Sequence, residues 1–156
     1  MIDPIEKTIE VPCGQERAFR IFIEEMASWW PMQMFTVSKM KGGEPKGLNV
    51  DARQGGLIVE ILPDGTEERW GEIRTYDPFG YLAMGFHINH PDYEREGETL
   101  VELKFEAIAD DRTRVALKQS EFEALGAMAG PASGGYQHGW EMIFVKAYAK
   151  ACGAAD

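Results

Sequence analysis

The chain has 156 residues, of which 44% are hydrophobic, 27% charged and 11% aromatic. That suits one compact domain over residues 1–156 with a sizeable core, and argues against disordered, collagen-like and disulfide-scaffold classes. Asp plus Glu number 26 against 16 for Lys plus Arg, a net charge of −10, which repels nucleic acid and disfavours an anionic membrane surface.

Residues Met1 to Glu6 show neither the basic nor the apolar region of a leader. No apolar run approaches the roughly 18 residues of a membrane span. Two cysteines, Cys13 and Cys152, sit far apart without metal-ligand spacing and could pair only if the termini meet. Together these point to a cytoplasmic protein that needs no metal and no cofactor.

Ile5 to Val11 reads as a strand closed by Pro12. A helix starts around Gln15, with Ala18, Phe19, Phe22, Ile23 and Met26 along one face. It ends near Ser28, because Pro31 disfavours helical geometry at Trp30. Val37 to Val50 is rich in Gly, Pro and Lys and reads as a loop leading to a strand near Leu48 to Arg53. Gly55-Gly56 turns the chain into a strand at Leu57 to Leu62. Pro63-Asp64-Gly65-Thr66 is a hairpin turn back to Glu67 to Tyr76. Asp77-Pro78-Phe79-Gly80 then turns into Tyr81 to His87.

His90 to Glu98 is polar and reads as a loop. Thr99 to Ile108 and Thr113 to Gln119 alternate apolar and polar residues, as half-buried strands do. Ala124 to Gly135 is rich in Ala and Gly and reads as a loose segment that gates whatever lies beneath. Tyr136 to Ala151 is a long helix with Trp140, Ile143, Phe144, Ala147 and Tyr148 on its apolar face. The order β, α, about six antiparallel strands, then a long α makes an α+β protein.

The ordered set Val11-Pro12, Ala18-Phe19, Phe22, Trp29-Trp30-Pro31, Gly55-Gly56, Glu60, Asp64-Gly65, Trp70-Gly71-Glu72-Ile73, Asp77-Pro78, Leu82 and Gly139-Trp140 resembles the START-like (SRPBCC, Bet v1-like) superfamily. Within it, the set is similar to the branch named after the activator of the heat-shock protein 90 ATPase. The resemblance implies a helix-grip fold, in which a curved antiparallel sheet of about six or seven strands wraps the long C-terminal helix over a cavity.

In such a fold the inward faces of the strands and of the last helix would line the cavity. Trp30, Met32, Phe35, Trp70, Met84, Phe86, Phe105, Trp140 and Phe144 are then the apolar candidates for contact with a ligand. The competing reading is a filled core. Glu60 breaks the run LIVEIL and shares a strand face with Ile58 and Leu62. It is either a polar anchor paired to Arg53 or Arg74 or an exposed glutamate. Gln119, Tyr136 and His138 complete the polar candidates, with His138 at the rim near the start of the last helix. Of the adjacent Trp29 and Trp30, one sits at a pocket mouth or partner surface, or both brace the corner after the helix.

His87, His90 and Asp92 have the donor types of a divalent-metal site. Pro91 keeps them off one helical face, and they read as a solvated loop. No nucleophile elbow, Walker loop or dinucleotide fingerprint is present, so no catalytic residue is assigned. The reading is a binder of an apolar or aromatic small molecule in the cavity between sheet and C-terminal helix. The alternatives are a chaperone partner, a homodimer using aromatics near Trp29, and a cyclase, aromatase or hydrolase acting on a bound aromatic compound.

Overall fold

The computed structural model describes residues 2–154; Met1, Ala155 and Asp156 lie outside the described residues, and with them the ends of the leader and domain readings above. Seven strands form one antiparallel sheet in the order β1-β7-β6-β5-β4-β3-β2. They are β1 (Ile5–Val11), β2 (Gly47–Val50), β3 (Leu57–Ile61), β4 (Glu67–Asp77), β5 (Tyr81–Phe86), β6 (Thr99–Ala109) and β7 (Arg112–Ser120). Alternation sets their faces: in β6, Thr99, Val101, Leu103 and Phe105 are buried, while Lys104 and Glu106 face water.

Register shifts at Ile58/Val59, Ile73/Thr75 and Ala107/Ala109 bend the sheet. Gly71 and Gly85 sharpen the bend, because a Cβ on Gly71 would stand 1.8 Å from the Gly85 carbonyl oxygen. Only bare backbone permits that approach.

The first helix is shorter than its apolar period. Helix α1 (Gln15–Ile23) stops at the exposed pair Glu24 and Glu25, and a separate turn, α2 (Met26–Trp29), follows. The break keeps both carboxylates in water and still buries Met26. Trp29 and Trp30 are both buried at the corner, donating their indole N–H to the carbonyls of Ile21 at 2.7 Å and Phe35 at 2.8 Å. They brace it, and neither indole forms an exposed pocket mouth. A helical turn, α3 (Val37–Met40), replaces part of the expected loop, its first turn capped by Thr36 Oγ1 accepting from Lys39 N–H at 3.0 Å.

The C-terminal helix starts earlier than its apolar face suggests. After a 3-10 stretch (Phe122–Met128), α4 (Ala129–Trp140) runs without a break into wide π turns (Glu141–Tyr148) and α5 (Ala149–Ala151). Pro131 lies in the first turn, where backbone N–H groups have no helical partner to lose. Trp140, Ile143, Phe144 and Tyr148 face the sheet. No helix among the described residues is long and apolar enough to cross a membrane.

The segments that carry the two cysteines meet. Cys13 and Cys152 are both free and buried, with their thiols in contact. Burial pushes both thiols up, Cys152 to about 12.

Glu60 is fully buried on the inner face of β3, beside Ile58. Its carboxylate pairs with neither Arg53 nor Arg74, which reach Asp51 and Glu98 instead. It accepts from the Val37 N–H at 2.8 Å, the Ser38 N–H at 2.7 Å, the Ser38 hydroxyl, and the Trp70 indole at 2.9 Å. One charged group thus fastens α3 to β3 and β4. Glu60→Ala would leave four buried donors unpaired and should cost roughly 3–5 kcal/mol. The expected result is a lower urea midpoint than wild type, with faster amide exchange at Val37 and Ser38 than at β6; unchanged exchange there would contradict the assignment.

Candidate functional site

The space between sheet and helix is largely filled. Trp30 lies against Trp70, Phe86 and Trp140, with ring centroids 4.9, 6.1 and 6.2 Å away. Met84, Phe105 and Phe144 are buried in the same core, and Met32 packs on its edge. Two polar residues stand inside this apolar mass, each engaged by an indole. Glu60 accepts from Trp70, and Gln119 accepts from Trp140 at 2.8 Å while donating to Thr99 Oγ1 at 2.9 Å. No buried side-chain N or O lacks a partner among the described residues.

Above this floor a cleft of about 460 Å³ opens between three segments. Met34, Phe35, Thr36 and Met40 form one wall, and His87, Ile88, Asn89, His90 and Tyr93 form another. The helix supplies Met128, Pro131, Ala132, Gly135, Tyr136, His138, Gly139 and Ile143. Of the thirteen site residues expected from sequence, the cleft brings together Phe35, Tyr136 and His138. Trp30, Met32, Glu60, Trp70, Met84, Phe86, Phe105, Gln119, Trp140 and Phe144 lie beneath or beside it, because neighbouring side chains fill the interior that they were expected to line.

The helix wall explains the opening. With the helix starting at Ala129, Ala132, Gly135 and Gly139 fall at spacings of three and four, on one face. Small residues there leave room that larger ones would take. The Ala- and Gly-rich stretch is therefore the back of the cleft and not a loose gate. That composition was visible in the sequence; Ile88 and Asn89 carried no such signal.

Tyr136 links floor and cleft. Its ring stacks on Trp140, with centroids 6.1 Å apart. Its oxygen accepts from Ile88 N–H at 2.8 Å and lies 2.9 Å from His87 Nδ1. The Tyr136 hydroxyl and His87 Nδ1 thus share one hydrogen bond, whose donor is set by the imidazole tautomer. Burial pushes the Tyr136 hydroxyl well above the ordinary range. His87 is buried, in contrast to the solvated loop expected for it. Burial, and then the charge of Arg95, push His87 down to about 4.

The loop after β5 is held from below. Arg95 donates to the carbonyls of His87 at 2.8 Å and Trp70 at 2.9 Å, and to Glu98 at 2.8 Å. Burial works against the charge of Glu98, but hydrogen bonds from Arg69 and Arg95 outweigh it and hold the carboxyl below its usual range. Asn89 Nδ2 donates to the carbonyls of His90 at 3.1 Å and Tyr93 at 2.7 Å. His90 lies 3.7 Å from Asp92, and no group of three His, Cys, Asp or Glu among the described residues is placed to hold a metal ion. A larger hollow of about 840 Å³ follows the β2–β3 edge, but its walls carry Glu24, Asp51, Arg53 and Glu67, charges that favour water over an apolar ligand.

The profile of the family described as "Activator of Hsp90 ATPase homolog 1-like protein" matches residues 13–149. Among solved structures, the chain is similar to an anthrahydroquino-γ-pyrone synthase, Txn09, solved as a complex: 25% identity, 96% of this chain and 97% of that one covered, TM-score 0.66. It is similar in fold to the self-sacrificing resistance protein CalC from Micromonospora echinospora, with 21% identity, 96% and 93% coverage and TM-score 0.67. It is likewise similar in fold to an HSP90 activator from Plasmodium falciparum, with 15% identity, 91% and 90% coverage and TM-score 0.56. No curated protein matches the chain.

The lowered His87 makes stability depend on pH in a defined direction. The unfolded chain takes up the His87 proton near pH 6.5, the folded chain only near 4. The contribution of neutral His87 is thus complete above about pH 6.5 and is lost as the pH falls towards 4. It should amount to roughly 2–3 kcal/mol between pH 7 and 4.5. Urea titrations should show wild type losing that much more than His87→Gln over this interval; parallel losses would exclude a buried neutral histidine.

Proposed function

The chain belongs to the family of Activator of Hsp90 ATPase homolog 1-like proteins, and from that membership and the cleft we propose that it binds an apolar or aromatic small molecule in the cytoplasm, between the C-terminal helix and the α3 and β5–β6 segments. The carrying observation is the cleft itself. It has the size of a small-molecule site and mostly apolar walls, with a few polar groups converging on it. Met34, Met40 and Met128 adapt in shape to flat guests. The 25% identical protein is an anthrahydroquino-γ-pyrone synthase, which supports an aromatic ligand here.

Two further readings differ in what favours them. A role beside a chaperone rests on the family's description alone. Turnover of the bound compound is favoured by one observation, the His87–Tyr136 pair, 2.9 Å apart in the cleft wall.

Gly135 gives a clean test. It lines the cleft, and nothing lies within 4 Å of a Cβ built there. Gly135→Leu should fill the cleft while gaining up to about 1 kcal/mol in helix propensity. In a thermal-shift screen of planar aromatic compounds, hits should raise the wild-type Tm and move the methyl NMR signals of Met34, Met40 and Met128. They should leave Gly135→Leu unmoved at an equal or higher starting Tm. A blank screen, combined with stimulation of a heat-shock protein 90 ATPase, would transfer the assignment to the chaperone reading.

A further inference from the structure

The chain carries 26 acidic and 16 basic side chains and three histidines. No Asp, Glu, Lys or Arg lines the cleft, and all three histidines do. A carboxylate, phosphate or ammonium entering it would shed water and meet no opposite charge, a heavily unfavourable exchange.

Most polar groups in the walls are already engaged with the protein. Thr36 Oγ1 donates to the Met32 carbonyl at 3.3 Å and accepts from Lys39 N–H at 3.0 Å. Both N–H groups of the Asn89 amide are used, and the Asn89 side chain lies beside the His87 ring. Tyr136 is engaged by Ile88 and His87. Two groups remain. His90 Nδ1 accepts from Asp92 N–H at 3.1 Å, so the neutral ring holds its proton on Nε2 as an uncommitted donor. Its side chain is 40% exposed, which places that donor at the mouth. The other is His138, exposed on the helix wall.

We infer that the ligand is an uncharged planar aromatic compound bearing a carbonyl group, seated with its rings inward on Phe35, Ile88, Tyr136 and Ile143 and its carbonyl oxygen outward to accept from His90 Nε2–H. This deepens the small-molecule reading above and rests on it. The deep part of the cleft offers rings and methyl groups whose polar neighbours are satisfied, so a buried ligand acceptor would find no donor there. The mouth offers donors, and that of His90 is the one fixed in place, by the Asp92 N–H on the other ring nitrogen.

The test is a methionine-methyl NMR titration at pH 8 with four probes on one skeleton: naphthalene, 2-acetylnaphthalene, 2-naphthoate and 2-naphthylmethylammonium. The ketone should bind about tenfold more tightly than naphthalene, the value of one retained hydrogen bond. Both ions should bind at least about tenfold more weakly than the ketone. His90→Phe, a change on a half-exposed loop, should bring the affinity ratio of ketone to naphthalene from about ten to about one. An ion that matches the ketone overturns the charge selection. A preference that survives His90→Phe, or is lost only in His138→Phe or Tyr93→Phe, overturns the role of His90. If none of the four binds while other aromatics in the thermal screen do, this inference falls alone. If nothing binds in either experiment, the small-molecule reading falls with it.

Discussion

A carboxylate taken out of water without a counter-charge is among the costliest groups a fold can bury. Glu60 is such a group, and its four donors come from two separate parts of the chain, the α3 turn and β4. Its position on β3 sets where α3 begins. That start sets where Met34, Phe35 and Met40 stand, and these residues form one wall of the cleft. The Trp70 indole, held by the same carboxylate, is also a member of the aromatic floor. Wall and floor are thereby indexed to a single acceptor, with the specificity that a fully satisfied polar network gives to a core.

The floor and the cleft divide the inside of the fold between them. Trp30, Trp70, Phe86 and Trp140 occupy the volume that a ligand would need at the centre of the grip. What remains is a shallower opening, bounded by a loop that Arg95 fastens to β4 through backbone carbonyls. His87 belongs to both regions. Its ring nitrogen meets Tyr136, its carbonyl meets Arg95, and its neutrality follows from burial among such neighbours.

Period and punctuation made most of the fold legible. Strands β1, β6 and β7 follow from alternation, and the hairpin at Asp64-Gly65 from a turn in which Gly65 takes φ 88°. The helix-grip arrangement follows from the resemblance and from element order. Legibility failed where tertiary contacts override local signals. Glycine and proline at residues 130–135 argue locally against helix, yet the helix extends through them because its later turns are anchored on the sheet. The strand parity of Glu60 was readable, but its donors were not, since three of the four come from a turn 22 or 23 residues away in sequence. Candidate ligand contacts were read as everything facing inward. Alternation tells which side chains face inward, but not whether they meet one another and close the space between them.

The C-terminal helix changes character along its length. Up to Gly139 its inner face shows mostly small residues around Tyr136, and from Trp140 onward large apolar side chains, with the wide π turns at the changeover. Stability is drawn from the second stretch and the shape of the cleft from the first. Such a helix can be edited in halves: exchanges at Ala132, Gly135 or His138 re-carve what the cleft admits without disturbing Phe144 or Tyr148. A scaffold built in this way can be passed among unrelated ligands over evolutionary time with little risk to folding, and the same partition marks where a laboratory redesign should begin.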